Sequence, residues 1–210
     1  MNKDFKAHWD RVYASQEVDR LGWYESMPEP SLRLISRCIL NKEDPVLDVG
    51  AGATTLIDCL LRQGFQNIIA VDISEVALQK LRERLGEEKA SRVQWITDDI
   101  TQPLHLHRLQ NIALWHDRAV LHFLLEEQQQ QGYLATLKKI VKHGGYVIIA
   151  AFSLKGAQWC SGLRIRNYDQ DMLADFLGNE FSLREHFDYT YHMPSGEERP
   201  YVYTLFQRIA

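Results

Sequence analysis

Residues 46–55, Val-Leu-Asp-Val-Gly-Ala-Gly-Ala-Thr-Thr, constrain the fold of this chain more than any other segment. An apolar run carrying one acid leads into a Gly-x-Gly turn, and the turn opens into a helical pattern. Strand, tight turn and helix in that order start an α/β unit. Glycine lets the backbone turn sharply and come close to a ligand, and the helix that follows offers unpaired N–H groups at its positive end. The segment therefore predicts both a parallel sheet and a site for a nucleoside cofactor.

Two ligand chemistries compete for such a turn. A dinucleotide loop reads G-x-G-x-x-G, with a third glycine for close helix packing beside a pyrophosphate. Counting from Gly50 and Gly52, that third position is Thr55. The acid Asp48, ahead of the first glycine, suits a ligand with a cationic amine better than a pyrophosphate, and S-adenosylmethionine has the amine and no phosphate. About twenty residues further on, a second apolar run ends in Asp72, where a carboxylate can accept hydrogen bonds from ribose hydroxyls. Both ligands use such an acid, so Asp72 supports a nucleoside without choosing between them. A buried acid at a strand end is costly unless something pairs with it, which favours a ligand role for Asp48 and Asp72 over a purely structural one.

The rest of the chain extends the alternation. Residues 28–40 read as a helix leading to the first strand, 54–63 as the first crossover helix, Ser74 as the cap of the next, and 92–96 as the third strand. A fourth strand at 112–116 precedes a helix over 127–142, closed by Gly144-Gly145, and 146–152 form a fifth, strongly apolar strand. The pattern then changes. Residues 181–192 and 201–208 alternate and are rich in aromatics, and Pro194-Ser195-Gly196 joins them as the turn of an antiparallel hairpin. The predicted architecture is a Rossmann-like, doubly wound α/β fold with a mostly parallel seven-stranded sheet and a C-terminal antiparallel hairpin. With 210 residues, 45% of them hydrophobic, residues 1–210 read as a single domain, with 1–44 forming an N-terminal lid and lead-in helices.

Charge and cysteine usage narrow the function. The net charge of −4 is spread over both signs, and Arg82, Arg84 and Lys89 alternate with Glu83, Glu87 and Glu88, so no basic footprint for nucleic acid appears. Cys38, Cys59 and Cys160 lack metal or redox spacing, which fits a reducing compartment. The N-terminus lacks an apolar signal core, and no run is long enough to span a bilayer. The expectation is a cytoplasmic protein with no membrane partner.

On these residues the chain resembles the class I, seven-stranded S-adenosylmethionine-dependent methyltransferases. Asp48-x-Gly50-x-Gly52 matches that family's glycine motif, Asp72 its ribose acid, and Trp95-Ile96-Thr97-Asp98-Asp99-Ile100 its third-strand segment. In that segment the resemblance assigns the adenine contacts to Asp99 and Ile100, with Asp98 one residue off. Gly144-Gly145 matches the turn before strand five. The opening His8-Trp9-Asp10-x-x-Tyr13, Gly22-Trp23-Tyr24 and the loop Gly52-Ala53-Thr54-Thr55 are similar to the branch containing the citrate synthase lysine methyltransferase. The segment 115–124 and the aromatic hairpin are closer to bacterial small-molecule enzymes, including the tellurite-resistance and thiopurine methyltransferases.

The resemblance implies S-adenosylmethionine as cofactor and a small molecule or a protein side chain as acceptor. It places Trp9, Tyr13, Asp48, Gly50, Ala51, Gly52, Thr54, Asp72, Ile73, Asp99, Ile100 and His116 around the cofactor, with His116, Asp117 and Arg118 as catalytic candidates. Histidine is tunable near neutral pH and suits proton transfer; the plainer reading of Asp117 and Arg118 is an ion pair capping the next helix. Trp9, Tyr13, Trp23 and Tyr24 read either as an aromatic lid that attracts a sulfonium or as core. His122 reads as packing on the helix below. Cys160 reads as a pocket wall or a small buried hydrophobe, and His105-x-His107 lacks a third metal ligand. Segment 116–118 is not the Asn-Pro-Pro-Tyr or Asp-Pro-Pro-Tyr of exocyclic-amine nucleic-acid methyltransferases. The alternatives are an NAD-dependent oxidoreductase, which Thr55 and the hairpin disfavour, and a cofactor-binding protein without catalysis. The sequence leaves the oligomeric state open and calls for no metal.

Overall fold

The computed structural model describes residues 3–52 and 54–210; Ala53, one residue of the loop likened above to the lysine methyltransferase branch, lies outside the described residues. Helices α1 (Lys3–Ser15) and α2 (Glu29–Ile35) precede an alternating series. It runs β1 (Val46–Val49), α3 (Leu56–Arg62), β2 (Ile68–Asp72), α4 (Glu75–Leu85), α5 (Glu87–Ala90), β3 (Val93–Thr97), β4 (Ile112–Arg118), α6 (Glu127–Ile140) and β5 (Val141–Phe152). A two-stranded ribbon of β6 (Trp159–Cys160) and β7 (Leu163–Arg164), then α7 (Gln170–Leu177), lead to the hairpin of β8 (Phe181–His192) and β9 (Glu198–Arg208).

The large sheet is seven-stranded in the order β3-β2-β1-β4-β5-β9-β8. β1 to β5 pair in parallel, and β9 runs antiparallel to both β5 and β8. This is the doubly wound sheet with a terminal hairpin that the sequence predicts. Strand order reverses between β1 and β4, and in open α/β sheets that switch point is where ligands bind, beyond the carboxyl ends.

Alternation along β1 explains the two layers. Val46 joins a core with Leu34, Leu56 and Leu60 on one face of the sheet; Leu47 joins Trp115, Tyr133 and Leu137 on the other. α1 lies over α4 instead, where Tyr13 and Leu21 pack on Ala77. Ser74 caps α4 by accepting from the Ala77 N–H at 3.2 Å, as expected. Among the described residues no helix is long and apolar enough to cross a membrane.

Several boundaries move. α2 stops at Ile35, short of residue 40, because the Arg37 and Cys38 N–H groups bond three residues back, to Leu34 and Ile35, and tighten the last turn. α6 stops at Ile140, short of residue 142, because Val141 already pairs with Ile112 on β4. Gly144-Gly145 then lies inside β5 as a bulge, between the Val141 and Tyr146 pairings, rather than before the strand. β3 sits one residue later than expected, and β9 begins at Glu198 instead of Tyr201.

Candidate cofactor and acceptor site

The parallel register sets Asp48 on β1 beside His116 on β4. His116 Nδ1 donates to Asp48 Oδ1 at 2.7 Å, and its Nε2 lies 2.9 Å from the Ser31 hydroxyl of α2. All three side chains are buried, and Asp48 Oδ2 has no partner. Two residues on, Arg118 shares the face of His116. It donates through Nε to the Tyr203 hydroxyl at 3.1 Å and through Nη1 to the Trp23 carbonyl at 3.2 Å, and it pairs with Glu25 at 3.1 Å; its Nη2 is unpartnered. The pleat turns Asp117 to the opposite face. There it accepts from the Val120 and Leu121 N–H groups and from the Tyr133 hydroxyl at 2.7 Å, while burial pushes its carboxyl up to about 6. The expected trio is thus divided. The carboxylate partner of Arg118 is Glu25 rather than Asp117, and Asp117 holds the loop after β4.

Beyond β1 the chain turns through Gly50 and Gly52, at φ of 64° and 51°. A Cβ on Gly52 would run into the Tyr13 hydroxyl, and one on Gly50 into a Val120 methyl. The Gly52 N–H donates to Asp72 Oδ2 and the Ser74 N–H to Oδ1, each at 2.8 Å. The Ala51 N–H bonds the Val71 carbonyl at 2.9 Å, so the loop is pinned to β2. Burial raises the Asp72 carboxyl to about 6 although both N–H groups favour its charge. Each oxygen keeps lone-pair capacity for a hydroxyl donor.

After β3, the two neighbouring acids divide their work. Asp98 accepts from the N–H groups of Leu104, His105 and Leu106, closing the loop on itself. Asp99 accepts from the Thr101 N–H at 2.9 Å and hydroxyl at 2.7 Å. Asp99, Ile100 and Ile73 line a large cavity of about 970 Å3, counting its open mouth, together with Gly50 and Asp72. Its lining is also aromatic: Trp9 and Tyr13 from α1, with Trp23, Phe123 and Tyr201. Trp9 stands edge-on to Trp23 at 5.7 Å and to Phe123 at 5.1 Å, and Ser74 donates to Asp10 at 2.7 Å, which fastens α1 to the start of α4. Cys160, at the turn of the β6–β7 ribbon, closes one side, its thiol pushed up by burial.

A smaller cavity of about 550 Å3 adjoins the first, with Gly50, Tyr13 and Arg118 lining both. Ala51, Thr54, Asp48 and His116 line the smaller one, with Glu25 and Ser31. Of the cofactor residues named from the sequence, all but Gly52 line one or other of these two adjoining spaces; Gly52 lines neither and meets the site through its N–H bond to Asp72. Glu25, Ser31, Phe123 and Tyr201 were not foreseen. Glu25 had a cue, an acid directly after Gly22-Trp23-Tyr24; Ser31 had none, since it reaches the site through helix packing. His122 lies outside the cavities, buried edge-on between Phe123 and Phe152 with both ring nitrogens unpartnered. Among the described residues no three metal-ligating side chains cluster.

These groups fit S-adenosylmethionine. A buried carboxylate oxygen without a partner suits a cationic amine, Asp72 suits ribose hydroxyls, and the glycine turn lets Tyr13 and Val120 pack against the loop beside the cavity. A model of the methyltransferase domain matches residues 46–145. The chain is 25% identical over 144 residues to the eEF1A lysine and N-terminal methyltransferase of Bos taurus, covering 66% of this chain and 20% of that protein. It thus spans about a fifth of that relative's length. A S-adenosylmethionine-dependent methyltransferase from Anabaena variabilis superposes with a TM-score of 0.76 at 14% identity, over 97% of this chain and 93% of the other. The N-methyltransferase NodS of Bradyrhizobium japonicum, in complex with S-adenosylhomocysteine, gives 0.71 at 14% identity over 97% of each chain. At such identities these two likenesses speak for the fold. The domain match runs from β1 to the β5 bulge, and over that region the chain is similar to the methyltransferase domain, on a fold shared with S-adenosylmethionine-dependent methyltransferases.

Proposed function

We propose that this chain transfers a methyl group from S-adenosylmethionine to a small-molecule acceptor held against the aromatic lining of the large cavity. The observation that carries the reading is that one cavity is lined both by Asp72, Ile73, Asp99 and Ile100 and by Trp23, Phe123, Cys160 and Tyr201. When bound, the cofactor supplies a methyl group on a sulfonium, activated for in-line displacement. Asp48 Oδ2 takes the ammonium of its amino-acid portion, Asp72 accepts its ribose hydroxyls, and Asp99 and Ile100 flank its adenine. Trp9 and Trp23 line the cavity and would exclude water from the positive sulfur.

The proton accounting follows from the hydrogen bonds. Both His116 nitrogens are engaged and Asp117 faces away, so of the three candidates only Arg118 lines the large cavity. Catalysis in this reading is positioning of the acceptor rather than proton abstraction by His116. Arg118 is the one guanidinium or ammonium lining either cavity among the described residues, and it favours an acceptor that arrives electron-rich or ionised.

A second reading, methylation of a protein side chain, is favoured by the likeness to the eEF1A lysine methyltransferases. Release of S-adenosylhomocysteine, measured with an aryl thiol, a phenol and a lysine peptide offered in parallel, separates the two. Turnover with the aromatic acceptors supports the first; turnover with the peptide alone refutes it. In the same reading residues 1–210 act as one domain in the cytoplasm, without nucleic acid.

A further inference from the structure

Ser31 and His116 form a buried polar pair that the methyl transfer just described does not use. Ser31 sits on α2 and His116 on β4, and both line the smaller cavity beside Asp48. A carboxylate only accepts hydrogen bonds, so the 2.7 Å contact places the ring hydrogen on His116 Nδ1. A neutral ring then has Nε2 as an acceptor, which in a buried place needs a donor. The Ser31 hydroxyl, 2.9 Å away, supplies it. The chain of bonds runs from α2 through the imidazole to Asp48 Oδ1 and leaves Oδ2 unpartnered.

Serine, histidine and aspartate in this order activate nucleophiles in hydrolases. Here the serine is buried on α2 and lines the cavity beside Asp48, where the proposed occupant is the cofactor rather than an acyl substrate. The order of groups serves orientation instead. Anchoring one oxygen of Asp48 through a charge-assisted bond fixes the plane of its carboxylate, and with it the direction of the other oxygen.

We infer that Ser31 and His116 are positioning residues, a relay from the lead-in helix that presents Asp48 Oδ2 to the ammonium of the cofactor. The inference rests on the proposed placement of that ammonium. It links the seating of α2 to recognition of the amino-acid half of the ligand, and leaves recognition of the nucleoside half to Asp72 and Asp99.

The two halves can be probed separately by calorimetry on the whole chain. S-adenosylhomocysteine carries both halves; 5′-methylthioadenosine lacks the amino acid. Ser31→Ala strips one donor from a buried ring nitrogen, and the expected result is about a tenfold weaker S-adenosylhomocysteine with 5′-methylthioadenosine unchanged. Ser31→Thr keeps the hydroxyl and restores the lost affinity. A purely structural serine would weaken both ligands alike, and that result, or no change in either, overturns the relay. Wild-type protein that binds neither ligand overturns the cofactor placement itself, a failure distinct from that of the relay.

Discussion

Replacing Gly52 with alanine tests whether α1 closes on the glycine turn as described. The residue sits at φ 51°, where a side chain costs about 1–2 kcal/mol. The added methyl also meets the Tyr13 hydroxyl head-on, with Tyr13 Cζ 3.1 Å away, and overpacking of this kind costs about 1–3 kcal/mol. The two effects together give roughly 2–5 kcal/mol. For a chain of this size that is a drop of about 5–15 °C in melting temperature. Tyr13→Phe removes the obstructing oxygen but leaves the backbone strain. In a thermal-melt double-mutant cycle, Gly52→Ala should therefore cost about 1–3 kcal/mol less when Tyr13 is already phenylalanine. Additive effects, agreeing to within about 0.5 kcal/mol, would refute the contact between α1 and the turn.

The buried ionisable groups carry the remaining predictions. In the proposed cofactor placement ribose hydroxyls donate to the ionised form of Asp72, whose carboxyl burial raises to about 6, so affinity for S-adenosylhomocysteine should fall below pH 6 by up to about tenfold per pH unit. Asp72→Asn should bind weakly at every pH and lose that slope; a wild-type affinity that is flat from pH 7 to 5 contradicts the assignment. His122 titrates near 6.5 when unfolded, and burial, reinforced by Arg118, lowers it to about 3 in the fold. The unfolded chain then binds the extra proton between those values, so the stability that neutral His122 contributes is complete above pH 6.5 and is lost as pH falls toward 3. His122→Phe fills similar space and removes two unpartnered nitrogens. Its denaturation profile should match or exceed wild type at pH 7 and fall less steeply in acid, whereas a marked loss at neutral pH would show that the ring nitrogens are satisfied.

The parts legible in the sequence are those written locally. Gly50 and Gly52 declare a turn that needs positive φ, and Asp48 and Asp72 declare charged strand ends, because each signal lies within a few residues of its cause. The alternating apolar runs likewise foretell β1 to β5 and the hairpin. Relations between distant segments were not legible. His116 looks like a free base in the sequence, and only the Asp48–His116 register and the arrival of Ser31 from α2 show both its nitrogens occupied. Asp117 could have been separated from its neighbours in advance, since a strand turns alternate residues to opposite faces. The Arg118–Glu25 pair spans the N-terminal segment and β4, and no pattern within either segment announces the other. The end of α6 moved for the same reason: Val141 has a strand partner, Ile112, far away in sequence.

Calorimetric titration of the purified chain with S-adenosylmethionine, S-adenosylhomocysteine and NAD, side by side, tests the central claim most directly. The unpartnered Asp48 oxygen and the two-point ribose acid predict micromolar binding of the first two and none of NAD. Binding of NAD alone would contradict the account of the site while leaving the α/β fold intact.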